Sequence, residues 1–165
     1  MVETARSSAA EMADDFQAAN DEAIAFAGGC SDEQWSTMVR GEEWPVGVVL
    51  HHIASGHELM IGWLGRARRG QEILTTAAEI DADNARHAED NAGVTRAETV
   101  EALRRNGAEL AIVIRSLDGD ELATSVPFGP ADGMAVTTLA LVEVSARHCR
   151  THLTGARDAL EQTTG

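Results

Sequence analysis

Apolar residues recur every three or four positions along most of the chain, and clean alternation with a period of two is scarce. Met12, Phe16, Ala19, Ala23 and Phe26 mark one face of a helix predicted over residues 3–27, with Gly28 and Gly29 as its stop. Ser31 with Gln34 has the form of a capping box opening a short helix through Trp35 and Met38. A second long helix is predicted from Pro45, which suits a first helical position, through VGVVLHHIASGHELMIGWLGRARRG to a stop at Gly70. The connection over residues 71–94 is too long for a structureless loop in a compact domain, so a helix of its own is expected near residues 81–90. Thr95 with Glu98 repeats the capping-box pattern and opens a helix over residues 96–117, inside which the β-branched run at 111–114 falls. DGDELATSVPFGPADG, with two prolines and several glycines, reads as a loop, and a last helix is expected over residues 134–161.

Four long helices with one extended connection between the second and third define an all-α fold, a four-helix bundle in which helices two and three run parallel. The 165 residues suit one domain, residues 1–165, with enough chain to bury a core without disulfides. Two cysteines, Cys30 and Cys149, fit a reducing compartment. The first residues carry acids where a signal peptide needs an apolar stretch, and no apolar run is long enough to span a bilayer, so a cytoplasmic protein is expected. Charge excludes one class of partner. Twenty-seven acids against 13 bases give a net charge of -14, which disfavours a phosphate backbone and hence a nucleic-acid role. Every one of those bases is arginine, a bias typical of GC-rich coding sequence.

The histidines are the candidate chemistry. On a helical wheel His52 is central to a face shared with Val48, Val49, Gly56, Leu59 and Trp63, while His51 falls toward the rim and His57 on a third direction. His148 and His152 are four apart and share a face with Leu141, Val144, Gly155 and Ala156, opposite a charged side. Two readings stand at this point. Inward histidines can be core residues satisfied by carbonyls or by one another. Alternatively, an i, i+4 pair with a third imidazole from a facing helix can hold one divalent ion and leave a fourth position open, the pattern of a catalytic zinc site. Trp44 and Trp63 are either packing residues or walls of a pocket beside that site, and Cys149 reads as packing. No Gly-rich phosphate loop, GxSxG elbow, HExxH or set of inward carboxylates is present.

The string WPVGVVLHHI resembles the helix-2 motif of the DinB-like (YfiT-like) superfamily through Trp44, Val49, Leu50, His52 and Ile53. HCRTHLTGAR, from His148 to Arg157, is similar to that family's closing H-x-x-x-H-x-x-x-x-R pattern, and DNARHA at 83–88 is similar to its segment before helix 3. The resemblance implies an up-down-down-up bundle with His52, His148 and His152 as ligands to Zn²⁺, or to Ni²⁺. It also implies an S-transferase that joins a low-molecular-weight thiol to an electrophilic small molecule, with the composition pointing to mycothiol. Arg157 matches the motif as a cofactor-binding candidate, although it faces outward on the wheel. The mycothiol-dependent isomerase branch carries a carboxylate where His148 stands here, which favours the transferase. A non-enzymatic metal-containing bundle is the alternative, and a homodimer is the assembly the family implies.

Overall fold

A computed structural model of the chain describes residues 2–163, and the side chains of residues 8–162. Four long helices make the bundle: α1 (Val2–Gly29), α3 (Val46–Ala67), α5 (Arg96–Arg115) and α7 (Thr138–Thr163). Between them lie the short α2 (Asp32–Trp35), the crossover helix α4 (Ala77–Asp90) and α6 (Gly119–Ala123). Two small antiparallel hairpins complete the described residues, β1–β2 (Met38–Val39 with Trp44–Pro45) and β3–β4 (Ser125–Phe128 with Met134–Thr137).

Polar contacts between helices fix their directions. Asp14 meets Arg115 at one end of the α1–α5 pair and the Cys30 carbonyl meets Arg96 at the other, so these two run antiparallel. Arg105 approaches Glu58 and Ser116 approaches Arg68, so α5 runs parallel to α3. Arg150 pairs with Asp15 and Arg157 with Glu22, so α7 runs parallel to α1. The result is the up-down-down-up bundle, each of α1 and α3 packing on both α5 and α7.

The predicted periodicities bury the faces they mark. On α1, Ala9, Ala13, Phe16, Ala19, Ala23 and Ala27 are fully buried, while Met12 and Phe26 pack at the edge of the core. The apolar core has two lobes, one around Phe16, Leu64 and Ile114 and one around Leu50, Leu103 and Leu153. Buried polar groups bridge the helices where the lobes meet. Asn20 donates to the Leu103 carbonyl (3.1 Å) and its Oδ1 accepts from His57 Nε2 (2.9 Å). Asn106 donates to the Ala54 carbonyl and to Glu58. Gly107 is required there, because a Cβ would overlap the Asn20 side chain.

Three local readings of the sequence are corrected. Residues 118–133 are not a plain loop: Asp118 and Glu121 form a capping box that starts α6, and β3 comes next. The last helix starts at Thr138, not at 134, because Met134–Thr137 pair with Ser125–Phe128 across a turn with left-handed Asp132 (φ 53°) and Gly133 (φ 75°). Pro45 is the residue before α3 rather than its first helical residue, since it lies in β2 with extended backbone (ψ 150°). The crossover helix is where it was expected, but starts at Ala77 behind a Thr76–Glu79 capping box. No helix among the described residues is long and apolar enough to cross a membrane.

Candidate metal centre

The site is assembled by α3, α7 and the β1–β2 hairpin. His52 projects from α3 and His148 and His152 from α7, and one nitrogen from each lies within 4.8 Å of the others. His52 Nε2 and His148 Nε2 are 3.3 Å apart. That spacing is close to the separation of two nitrogens bound at ~2.0–2.1 Å to one tetrahedral ion. Gly56, one turn after His52, makes the meeting possible: a Cβ there would stand 2.6 Å from His148 Cε1.

Burial and mutual proximity set the charge of these rings. Burial first, then the neighbouring imidazoles of His152, His87 and His51, lowers His52 to about 3. Burial, then His152, His52 and His57, lowers His148 to about 3 as well. Both are neutral at pH 7, so each keeps a lone pair for a cation.

The hairpin supplies a residue that sequence reading missed. Gly41 (φ 88°) and Glu43 (φ 58°) turn the chain between β1 and β2, and this turn carries Glu42 to α7. Glu42 Oε1 accepts from His152 Nδ1 at 2.8 Å, so Nε2 is the nitrogen that Glu42 does not engage. A carboxylate on the far nitrogen of a ligating histidine orients the ring and raises its basicity. The other oxygen, Oε2, is buried with no hydrogen-bond partner among the described residues. Only the glycine and the acids of GEEW hinted at this turn, and nothing local in the sequence pairs Glu42 with a residue 110 positions away.

The triad opens into a cavity of about 550 Å³. Trp44, Met60 and Trp63 form an apolar wall, and Trp44 also sets its ring edge-on against His52 at 5.4 Å. On the crossover side, Ile80, Asp81, Asn84 and Ala85 of α4 close the cavity. His51, expected at the rim, is half-buried and stacks on His87 of α4, with Nδ1 and Nε2 3.4 Å apart. His87 was not singled out by spacing, because its partners lie on another element; its Nδ1 faces the Ser55 hydroxyl at 3.3 Å. His57 is a core residue, 1% exposed, edge-on to Phe16 and lowered to about 4 by burial. Arg157 is not brought to the cavity. It pairs with Glu22 at 3.3 Å and lies over the Phe26 ring.

Neither cysteine lines the cavity. Cys149 is fully buried, donates to the Ala19 carbonyl and is pushed up to about 12 by burial, and Cys30 is likewise raised by burial.

The sequence signature of the DinB superfamily matches residues 15–154. The chain belongs to that superfamily. Among solved structures it is similar to YfiT from Bacillus subtilis, described as a probable metal-dependent hydrolase with an unusual four-helix bundle topology. The match has a TM-score of 0.75 at 14% identity and covers 99% of this chain and 90% of that one, a likeness of fold. No curated protein sequence matches significantly.

Proposed function

We propose that this protein is a metal-dependent S-transferase, joining a low-molecular-weight thiol to an electrophilic small molecule. The observation that carries the reading is the convergence of three imidazoles on one point of a largely apolar cavity that has room beside them. The residues fit a divalent ion. His52 and His148 are neutral, and Glu42 leaves His152 one free nitrogen, so the three would hold Zn²⁺ or Ni²⁺. Such an ion supplies Lewis acidity, favouring the deprotonated form of a thiol or water beside it.

The chain's own residues argue that the nucleophile comes from outside. Ser145 is the lone hydroxyl residue among the described cavity-lining residues, and its Oγ already donates to the Leu141 carbonyl at 3.2 Å. With both thiols buried elsewhere, no side chain at the cavity is an activated nucleophile. In the proposed reaction the thiol sulfur bonds to the electrophilic carbon, the thiol proton is released, and the leaving group departs with its electron pair. Trp44, Met60 and Trp63 hold the electrophile's apolar body and exclude water. The arginine-only base composition supports mycothiol as the thiol, and two free cysteines support a reducing, cytoplasmic setting.

One observation favours a second reading. Glu42 Oε2, buried and unpartnered beside the cavity, is a base suited to water, which would make the protein a hydrolase, as YfiT is described.

The test is metal content together with turnover. One divalent ion per chain in untagged protein, lost in His52→Ala, establishes the centre. At ~100 times its dissociation constant Zn²⁺ adds about 2.7 kcal/mol to stability, raising Tm by roughly 5–10 °C. Metal-dependent consumption of an alkylating electrophile only with added thiol, lost in His148→Ala, supports the transferase. Thiol-independent ester cleavage supports the hydrolase. Metal binding without either turnover leaves a non-enzymatic, metal-containing bundle.

A further inference from the structure

The charges around the cavity say which ligands it takes, given the reading of this cavity as the ligand site. Its described lining includes two acids, Glu42 and Asp81, and no arginine, in a chain that has no lysine at all. The two acids differ in what they do. Glu42 is engaged by His152, whereas Asp81 is exposed on α4 at the rim, beside half-buried Asn84, and has no ion-pair partner among the described residues. Asp83, two positions on, points elsewhere on the helix and is paired with Arg86 at 2.9 Å. Arg40, next to cavity-lining Gly41, is exposed and outside the lining. Below the rim stand Trp44 and Trp63, whose ring faces favour a cation over an anion.

We propose that the cavity selects cationic over anionic ligands, and that Asp81 is the residue that sets this preference. The ligand class is an apolar or aromatic body carrying an ammonium or other positive group, with its body against the tryptophans and its charge at the α4 rim. A carboxylate or sulfonate at that position would meet Asp81 without any compensating arginine. Asp81 is a specificity residue and takes no part in the chemistry proposed at the histidines.

The experiment needs no turnover. Trp44 and Trp63 report occupancy through tryptophan fluorescence, and three probes of similar size that ligate metals weakly vary only the charge: benzyltrimethylammonium, benzyl alcohol and benzylsulfonate. Titrations at about 0.15 M salt, where the Debye length is ~8 Å, suppress the general attraction of an acidic protein for cations. After chelation, which removes the opposing charge of a divalent ion at the histidines, the cation is expected to bind about tenfold more tightly than the sulfonate. Asp81→Asn should shrink that ratio to about threefold or less, and Asp83→Asn, which alters net charge equally outside the cavity, should leave it unchanged. Equal binding of the two ions, a ratio insensitive to Asp81→Asn, an equal response to Asp83→Asn, or no quenching by any probe overturns the proposal. Metal content and thiol turnover are read separately, so loss of charge selectivity with an intact metal centre rejects this inference and leaves the proposed function standing.

Discussion

At the scale of single residues the three imidazoles depend on the groups packed around them. Gly56 is there because His148 needs its space, and Glu42 because His152 needs its Nδ1–H accepted. Replacing Glu42 by Ala leaves the ring free to rotate or change tautomer, and should weaken Zn²⁺ binding by roughly 10–100-fold. Glu42→Gln keeps an acceptor and should lose less, as competition with a chromophoric chelator would measure. An unchanged affinity in Glu42→Ala would remove the carboxylate from the centre. The cysteines give a second expectation. With Cys149 fully buried and held at about 12, and Cys30 buried and raised, both thiols should resist a disulfide reagent until the protein unfolds. Prompt reaction of either in the native state would contradict their burial. The i, i+4 pair and the inward His52 were legible in sequence because helical geometry fixes side-chain direction locally. Glu42 and His87 were not, because their partners come from elements 110 and 36 residues distant.

At the scale of elements, what the sequence showed well was what is periodic. The four long helices carry apolar stripes, and α2 and α5 have capping boxes that form as their residues imply. The hairpins were missed because each strand is four residues or shorter, so no alternation can establish itself. Their pairing instead depends on turns at Gly41 and Asp132–Gly133 and on tertiary anchors such as the Ile73 amide donating to Pro127. The crossover helix is the weakly held element. No residue of α4 is buried, yet it closes one side of the cavity. Its first turn rests on the Thr76 cap, which accepts from the Glu79 amide. Thr76→Ala should cost the helix about 1 kcal/mol. Because so little of the core rests on α4, the loss should appear as faster amide exchange over residues 77–90 with little change in the global Tm. A cooperative loss of stability across the whole bundle would show instead that the crossover is part of the main folding unit.

At the scale of the whole molecule, two opposing effects decide how the protein responds to acid. A net charge of -14 means that protonating carboxylates relieves self-repulsion, which favours the folded state as pH falls. The buried histidines act the other way, and at higher pH. His57, His52 and His148 are lowered to about 4, 3 and 3, each with burial as the largest cause. In the unfolded chain each takes up a proton near its ordinary value of ~6.5. Between that value and the folded one the unfolded state binds more protons, so the stability these groups give is complete above about 6.5 and is lost as pH falls. His57, 1% exposed, alone supplies a slope approaching ~1.4 kcal/mol per pH unit between about pH 6 and 4. Most carboxylates titrate only below about pH 5, so from pH 7 to 5 the histidines dominate. The urea midpoint of metal-free protein should therefore fall steadily over that interval, despite the approach toward the isoelectric point near 4.7. A flat or rising midpoint would mean that the imidazoles accept protons within the folded bundle, and so are not held below their ordinary value by burial.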